Sequence, residues 1–183
     1  YDFVIHICIS QEFSCCYQNA CLAAQDFDNV YVVDSGNLSS GQGLLVVAAA
    51  KLAEQGLSGA EIAERMRALV PKVEASFLIE RLDYMRKGGR CSAVAALGAN
   101  LLNLKPCIEV REGKMGVCKK YRGSFEKCIR QYVKDRLDGR ADIAPDLAFI
   151  THPACQKNVV DAAMEEAARY GSFDEVVETH AGC

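Results

Sequence analysis

His6 to Gln25 reads HICISQEFSCCYQNACLAAQ, and this stretch decides the fold. It continues an apolar run that starts at Phe3 (FVIHICI, to Ile9), breaks in a small polar turn, and resumes as an Ala-rich helical pattern from Tyr17 to Gln25. A buried strand leading into a helix through serines often presents its turn to a ligand. The next segment, VYVVDS (Val30 to Ser35), reads as a second strand. GLLVVAAAKLA (Gly43 to Ala53) follows as a buried helix that runs to about Gln55 and stops at Gly56. Ser39 or Ser40 stands ready to cap it. Ser58 and Glu61 form a capping box before the apolar positions Ile62, Met66 and Leu69 of a third helix. Strand, helix, strand, helix is the signature of a parallel sheet with crossovers.

Pro71 punctuates the chain, and we place the domain boundary there: residues 1–71 as a partial N-terminal α/β domain, 72–183 as an α+β domain. In the second part, Phe77 to Ile79 reads as a strand, Leu82 to Lys87 as a helical turn stopped by Gly88 and Gly89, and Ala93 to Leu102 as a helix. Pro106 to Val110 and Met115 to Tyr121 flank a turn at Glu112-Gly113, a hairpin pattern. Glu126 to Leu137 is amphipathic. Leu147 to His152, Gln156 to Tyr170 and Phe173 to Thr179 read as strand, helix and strand. The fold class is α/β, with a parallel Rossmann-like first part and a mixed sheet in the second.

Bulk composition narrows the function. Half of the 183 residues are hydrophobic and a quarter charged, the balance of a globular protein. A formal net charge of −3 gives no electrostatic case for nucleic acid or an anionic membrane as the main partner, and no stable membrane insertion is expected. No apolar run reaches the length of a membrane span. The ten cysteines show no C-x-x-C spacing, and most sit inside apolar patterns. We read them as buried free thiols of a cytoplasmic protein. Tyr1 leads straight into strand residues and Cys183 follows closely on EVVETH, so a fragment truncated at both ends is expected.

Four groups of residues could carry chemistry. Ser14 can donate its hydroxyl to an anion at a helix start, or cap the helix, and the two roles are compatible. Cys15 and Cys16 are either reactive thiols or small residues filling a tight turn. Lys87-Gly-Gly-Arg90 is a phosphate or carboxylate contact, or a helix stop with a solvated Arg. In Lys119-Lys120-Tyr121-Arg122, alternation sends Lys120 and Arg122 one way, Lys119 and Tyr121 the other. One face meets an acidic ligand, or the charges simply protect an edge strand. His6, His152 and His180 are scattered and lack ligand spacing, so no metal set is expected. Walker A and dinucleotide-binding glycine patterns are absent.

HICISQEFSCCYQNACLAA resembles the segment of the DegV family that typically reads I-S-x-x-L-S-G-T-Y-Q-S-A. The resemblance continues in order through VYVVDSGNLSSGQGLLVVAAAKLAEQG, LDYMRKGGRCS and ALGANLLNLKPCIEVREGKMGVCKKYRG. It implies a two-domain fatty-acid binder without catalytic residues and without a cofactor beyond the bound long-chain fatty acid. The carboxylate would lie at an interdomain site and the acyl chain in an apolar tunnel. The family includes the fatty-acid-binding subunit of bacterial fatty acid kinase, so a kinase subunit is the implied partner. By position, Ser14 matches the carboxylate-binding Ser, and Arg122 the Arg of the K-x-R motif near the carboxylate or acyl phosphate. Arg90 is a weaker match for phosphate contact, and Leu97, Leu101 and Ile108 are assigned to the tunnel wall. Cys15 and Cys16 replace the usual Gly and Thr, with Cys16 kept in the ligand set. The resemblance also implies a strand and a Thr/Ser-rich loop before Tyr1, and an H-x-G-P-G-like turn after Cys183. The competing readings are a Ser14- or Cys16-dependent acyl hydrolase or transferase, and a purely structural interaction domain.

Overall fold

Two parallel strands and three helices make the first core of the computed structural model, which describes residues 1–81, 83–89 and 104–181. β1 (Val4–Cys8) and β2 (Val30–Asp34) pair in parallel from Val4↔Val30 to Cys8↔Asp34. Between them runs α1 (Cys16–Ala24). β1 is less buried than a fully covered strand: Val4 and His6 are exposed, while Ile5 and Ile7 are half-buried. Among the described residues it pairs only with β2, which leaves its other edge unpaired.

α2 (Ser39–Glu54) turns Gly41, Leu45 and Ala49 inward, four residues apart and therefore on one stripe. Its expected serine cap does not form. The N-cap is Leu38, whose N–H is taken by the Asn37 side chain at 3.0 Å, and Ser39 already lies inside the helix. The C-terminus stops as the glycine signal requires: Gly56 has φ +82°, and the N–H groups of Gly56 and Leu57 return to the carbonyls of Ala53 and Leu52. α3 (Gly59–Leu69) opens with the complete Ser58–Glu61 capping box. Val33, Leu45, Ala49, Ile62, Ala63 and Met66 close this core.

A one-turn 3₁₀ helix (Val70–Lys72) leads to β3 (Ala75–Leu78) and the short α4 (Asp83–Gly88), after which Gly89 takes φ +67°. β4 (Leu104–Arg111) and β5 (Lys114–Arg122) form the hairpin, in a sheet of order β3-β4-β5. Its turn holds Glu112 and Gly113 at φ +52° and +77°, the doubly left-handed geometry of a tight hairpin. α5 (Phe125–Leu137), β6 (Leu147–His152), α6 (Lys157–Tyr170) and β7 (Glu175–His180) complete the chain, with β6 and β7 parallel and in register. Ser124 caps α5 by accepting the Lys127 N–H. Val133, Ala163 and Ala167 form a core between α5 and α6.

The chain divides into two compact units, residues 1–76 with 109–116, and 77–108 with 117–183. The division follows Ser76, five residues beyond the Pro71 expected from the sequence, and it also assigns the hairpin tip to the first unit. The helix expected over Ala93 to Leu102 lies outside the described residues.

A β-carbon on Gly113 would sit 2.7 Å from the Ser10 hydroxyl and would hold a strained left-handed backbone. Gly116 in β5 has open space and an ordinary φ. Gly113→Ala is therefore expected to cost about 2–4 kcal/mol in a urea melt. Gly116→Ala should stay within about 1 kcal/mol of the parent. Equal effects at the two positions would refute this account of the turn.

Candidate functional site

The carboxyl ends of β1 and β2 carry a dense polar turn cluster, the place where open α/β sheets bind ligands. The fully buried Ser10 donates its hydroxyl to the Gly113 carbonyl at 2.9 Å and accepts the Glu12 N–H. Its own N–H goes to the Asn37 carbonyl. Asn37 is the hub of the second loop. Its amide donates to the Val73 carbonyl, its Oδ1 accepts from Leu38, and its N–H bonds Ser35 Oγ. Gly41 has to be glycine here, since a β-carbon would stand 2.2 Å from Asn37 Oδ1. Asp34 accepts the Gly36 N–H at 2.9 Å and, more weakly, the Gln11 N–H. Nothing in the local sequence marked Asn37; its role comes from loops brought together by the parallel strands.

Ser14 is half-buried at the start of α1. Its hydroxyl donates to Cys16 Sγ at 2.9 Å and accepts the Cys16 N–H at 3.2 Å. The N-cap position itself is Cys15, which makes no side-chain cap, so Ser14 serves the helix start from one residue further out. α1 has no acidic residue in its first turn, leaving its positive end uncompensated. Cys15 and Cys16 are exposed, as is Cys118, and Cys21 and Cys155 are half-covered. The expectation of buried thiols therefore holds for Cys8, Cys107 and Cys128 alone among the described residues, where the cysteines are free. Burial above all, then Cys16, Cys21 and Asp34, pushes the Cys8 thiol up.

The second unit carries the basic strand end. Tyr121 is buried and donates its hydroxyl to Asp135 at 2.8 Å; Lys119 bonds the same carboxylate, and Gln131 its other oxygen. Burial and the Asp135 carboxylate push the Tyr121 hydroxyl well above its ordinary range. Burial works against the Asp135 charge, but the three donors outweigh it and hold its carboxyl below the ordinary value. Lys120 and Arg122 are exposed and, with Tyr121 between them, line a cleft of about 470 Å³ that α5 and the end of α6 also line.

Of the other expected ligand residues, Ile108 on β4 is fully buried, and Arg90, Leu97 and Leu101 lie outside the described residues. The histidines are less scattered than their spacing suggests. β6–β7 register sets His152 beside His180, with ring centroids 4.5 Å apart, and His152, Glu178 and His180 offer ligand atoms within 4.8 Å of one another. His152 Nδ1 accepts the Cys155 N–H, which leaves the proton on Nε2, directed at Glu178 Oε1 2.9 Å away. Strand register thus brings together three side chains that the sequence spacing kept apart.

Comparison with known proteins adds the family. The family model described as uncharacterised protein, DegV family, matches residues 1–183. A DegV domain-containing protein of Clostridium acetobutylicum is 40% identical over 136 residues, 72% of this chain and 49% of that protein. The chain thus matches about half the length of that relative. A fatty acid binding DegV family protein from Streptococcus agalactiae superposes with TM-score 0.83 at 26% identity, covering 100% of this chain and 64% of the other. The fold is shared at TM-score 0.80 by the Streptococcus pneumoniae fatty acid kinase B3 protein loaded with linoleic acid. That protein is 23% identical, with 97% of this chain and 65% of that one covered.

Asp135→Asn removes the charge that Lys119, Tyr121 and Gln131 share and should cost about 1–3 kcal/mol at neutral pH. The sign of the pH dependence follows from the lowered folded value. The stabilisation is present above the unfolded carboxyl value of about 4 and is lost as pH falls through the folded one. Stability of the parent should therefore drop more steeply than that of the variant on acidification below about pH 4, read by denaturant melts across pH. Parallel profiles would refute the assignment.

Proposed function

The chain belongs to the DegV family, and from that premise we propose that it binds a long-chain fatty acid, with the carboxylate hydrogen-bonded by Ser14. The observation that carries the reading is the Ser14 hydroxyl, half-covered at the carboxyl end of β1 and the uncompensated start of α1. A carboxylate there gains a hydroxyl donor and the positive end of a helix. Arg122 is proposed for the headgroup or its phosphate, and Cys16 as Ser14's neighbour in the same turn. Arg90 is proposed as an accessory phosphate contact, and Leu97, Leu101 and Ile108 for the apolar wall. The tail supplies affinity, roughly 0.8 kcal/mol per buried methylene, and the head must then find donors because a buried unpaired charge is costly. The further proposal is that the acid is presented to a partner kinase, this chain contributing no chemistry of its own. The S. agalactiae likeness supports the lipid; the kinase rests on family resemblance alone.

A Ser14- or Cys16-dependent hydrolase or transferase is supported less well. Among the described residues the side-chain hydrogen-bond partner of each is the other, which activates neither as a nucleophile. Among the described residues no helix is long and apolar enough to cross a membrane.

Native mass spectrometry of the chain incubated with palmitate or oleate tests the proposal. One fatty acid per chain is expected, and Ser14→Ala should weaken retention by about 10- to 100-fold, the worth of one hydrogen bond to a charged group. No adduct, or retention unchanged by Ser14→Ala, would sink the reading. Turnover of acyl esters lost in the same variant would establish the enzyme instead.

A further inference from the structure

We propose that His152, Glu178 and His180 bind a divalent transition-metal ion of the zinc type at the carboxyl end of the β6–β7 pair. In-register pairing sets His152 opposite His180. Glu178 precedes His180 by two residues, so strand alternation puts both β7 side chains on one face. One ligand atom from each of the three lies within 4.8 Å of the others. Donors held at about 2.0–2.2 Å from one ion stand roughly 3–4 Å apart, so small side-chain rotations close the set. His152 is only 9% exposed, and its Nε2 already faces Glu178 Oε1 at 2.9 Å. Glu178 and His180 are exposed, which leaves the cluster open to an incoming ion. The His180 ring meets that of His152 with centroids 4.5 Å apart and makes no hydrogen bond among the described residues. The nearby cation Lys157 is paired with both oxygens of Asp161, which blunts its repulsion of a metal.

Donor chemistry selects the kind of ion. Two imidazoles and one carboxylate suit zinc and its first-row neighbours, whereas magnesium and calcium want oxygen donors alone. No fourth His, Cys, Asp or Glu joins the set among the described residues, so the ion keeps a position for water. A His152–Glu178 hydrogen bond by itself uses two of the three side chains and gives His180 no role; a metal uses all three. The proton balance is simple. Without metal, His152 Nδ1 accepts the Cys155 N–H and the single ring proton sits on Nε2, directed at Glu178. The ion takes the place of that proton at Nε2. The proton moves through solvent to Nδ1, and the Cys155 N–H turns from the ring to water. Binding therefore leaves a mark on a backbone amide that is not itself a ligand.

The inference does not rest on the fatty-acid reading, none of whose residues lies on β6 or β7. Its test is calorimetric titration of zinc chloride into the full chain, with the accessible thiols first carbamidomethylated so that they do not compete. One ion per chain is expected. His180→Ala and Glu178→Gln should each weaken binding about tenfold or more. Both side chains are exposed, so the circular dichroism of the two variants should match the parent. His6→Ala, at an exposed histidine of the first unit, should bind as the parent does. Zinc should shift the Cys155 amide resonance, and magnesium should not. No zinc uptake would overturn the proposal. So would equal affinity in His180→Ala and the parent, which would place the ion on the remaining thiols. Weakened binding in both variants with the Cys155 amide unmoved would remove His152 from the site and overturn the three-residue set. Zinc uptake by a chain that takes no fatty acid would keep this inference and reject the other.

Discussion

One buried hydroxyl holds the first unit's functional end in place. Ser10 lies 103 residues from Gly113, and their buried hydrogen bond brings the β1 turn and the hairpin tip together. A serine buried that fully has to be satisfied, because an unpaired hydroxyl costs more than the bond returns. Gly113 can satisfy it only by lacking a side chain and taking φ +77°. The Lys114–Glu12 ion pair at 3.5 Å beside them is exposed and adds little. The position of Ser14, four residues on, follows from this anchor, since the turn that starts at Ser10 closes through the Phe13 N–H.

The second unit solves a different problem, that of placing many charges on a small α+β frame. Two of its cations are consumed structurally. Lys119 shares Asp135 with the buried Tyr121, and Arg130 is ringed by Glu126, Glu165 and Glu166. These networks use the acids that could have neutralised Lys120, Arg122, Lys127 and Arg169. The same residues that tie α5 to β5 and α6 therefore leave the cleft positive. Lys119 and Tyr121 are bonded to Asp135, while Lys120 and Arg122 are left exposed at the cleft.

What was legible in the sequence was local. The Ser58–Glu61 box, the Gly56 and Gly89 stops and the Glu112-Gly113 turn each depend on a few adjacent residues, and each stands where its pattern placed it. The parallel β1–β2 pair followed from the strand–helix order. Cooperation between distant segments was not legible. Ser39 looked like a cap, but Asn37 takes the Leu38 N–H because its loop is held by Val73, 36 residues away. His152 and His180 meet only through β6–β7 register, 28 residues apart. The cleft's third wall, Arg169, is likewise invisible until α6 packs on α5. Of the proposed ligand residues, the Ser14–Cys16 turn was readable as a strand-to-helix junction, whereas the thiol's role as Ser14's acceptor needed coordinates.

That thiol bears on how Ser14 could serve a carboxylate. The hydroxyl proton now points to Cys16 Sγ, so a carboxylate must compete for it. Sulfur is a weak acceptor, and a charged oxygen is a strong one. Exchanging the first for the second therefore favours the ligand, while Ser14 Oγ keeps its bond from the Cys16 N–H and stays oriented. A threonine at this position, as the family pattern has it, would offer an oxygen acceptor and compete harder for the same proton, but would also supply a second donor. Cysteine gives up that donor and with it part of the carboxylate's hydrogen bonding. In the proposed complex the turn retains one well-placed hydroxyl and the start of α1, and burial of the acyl tail would supply more of the affinity.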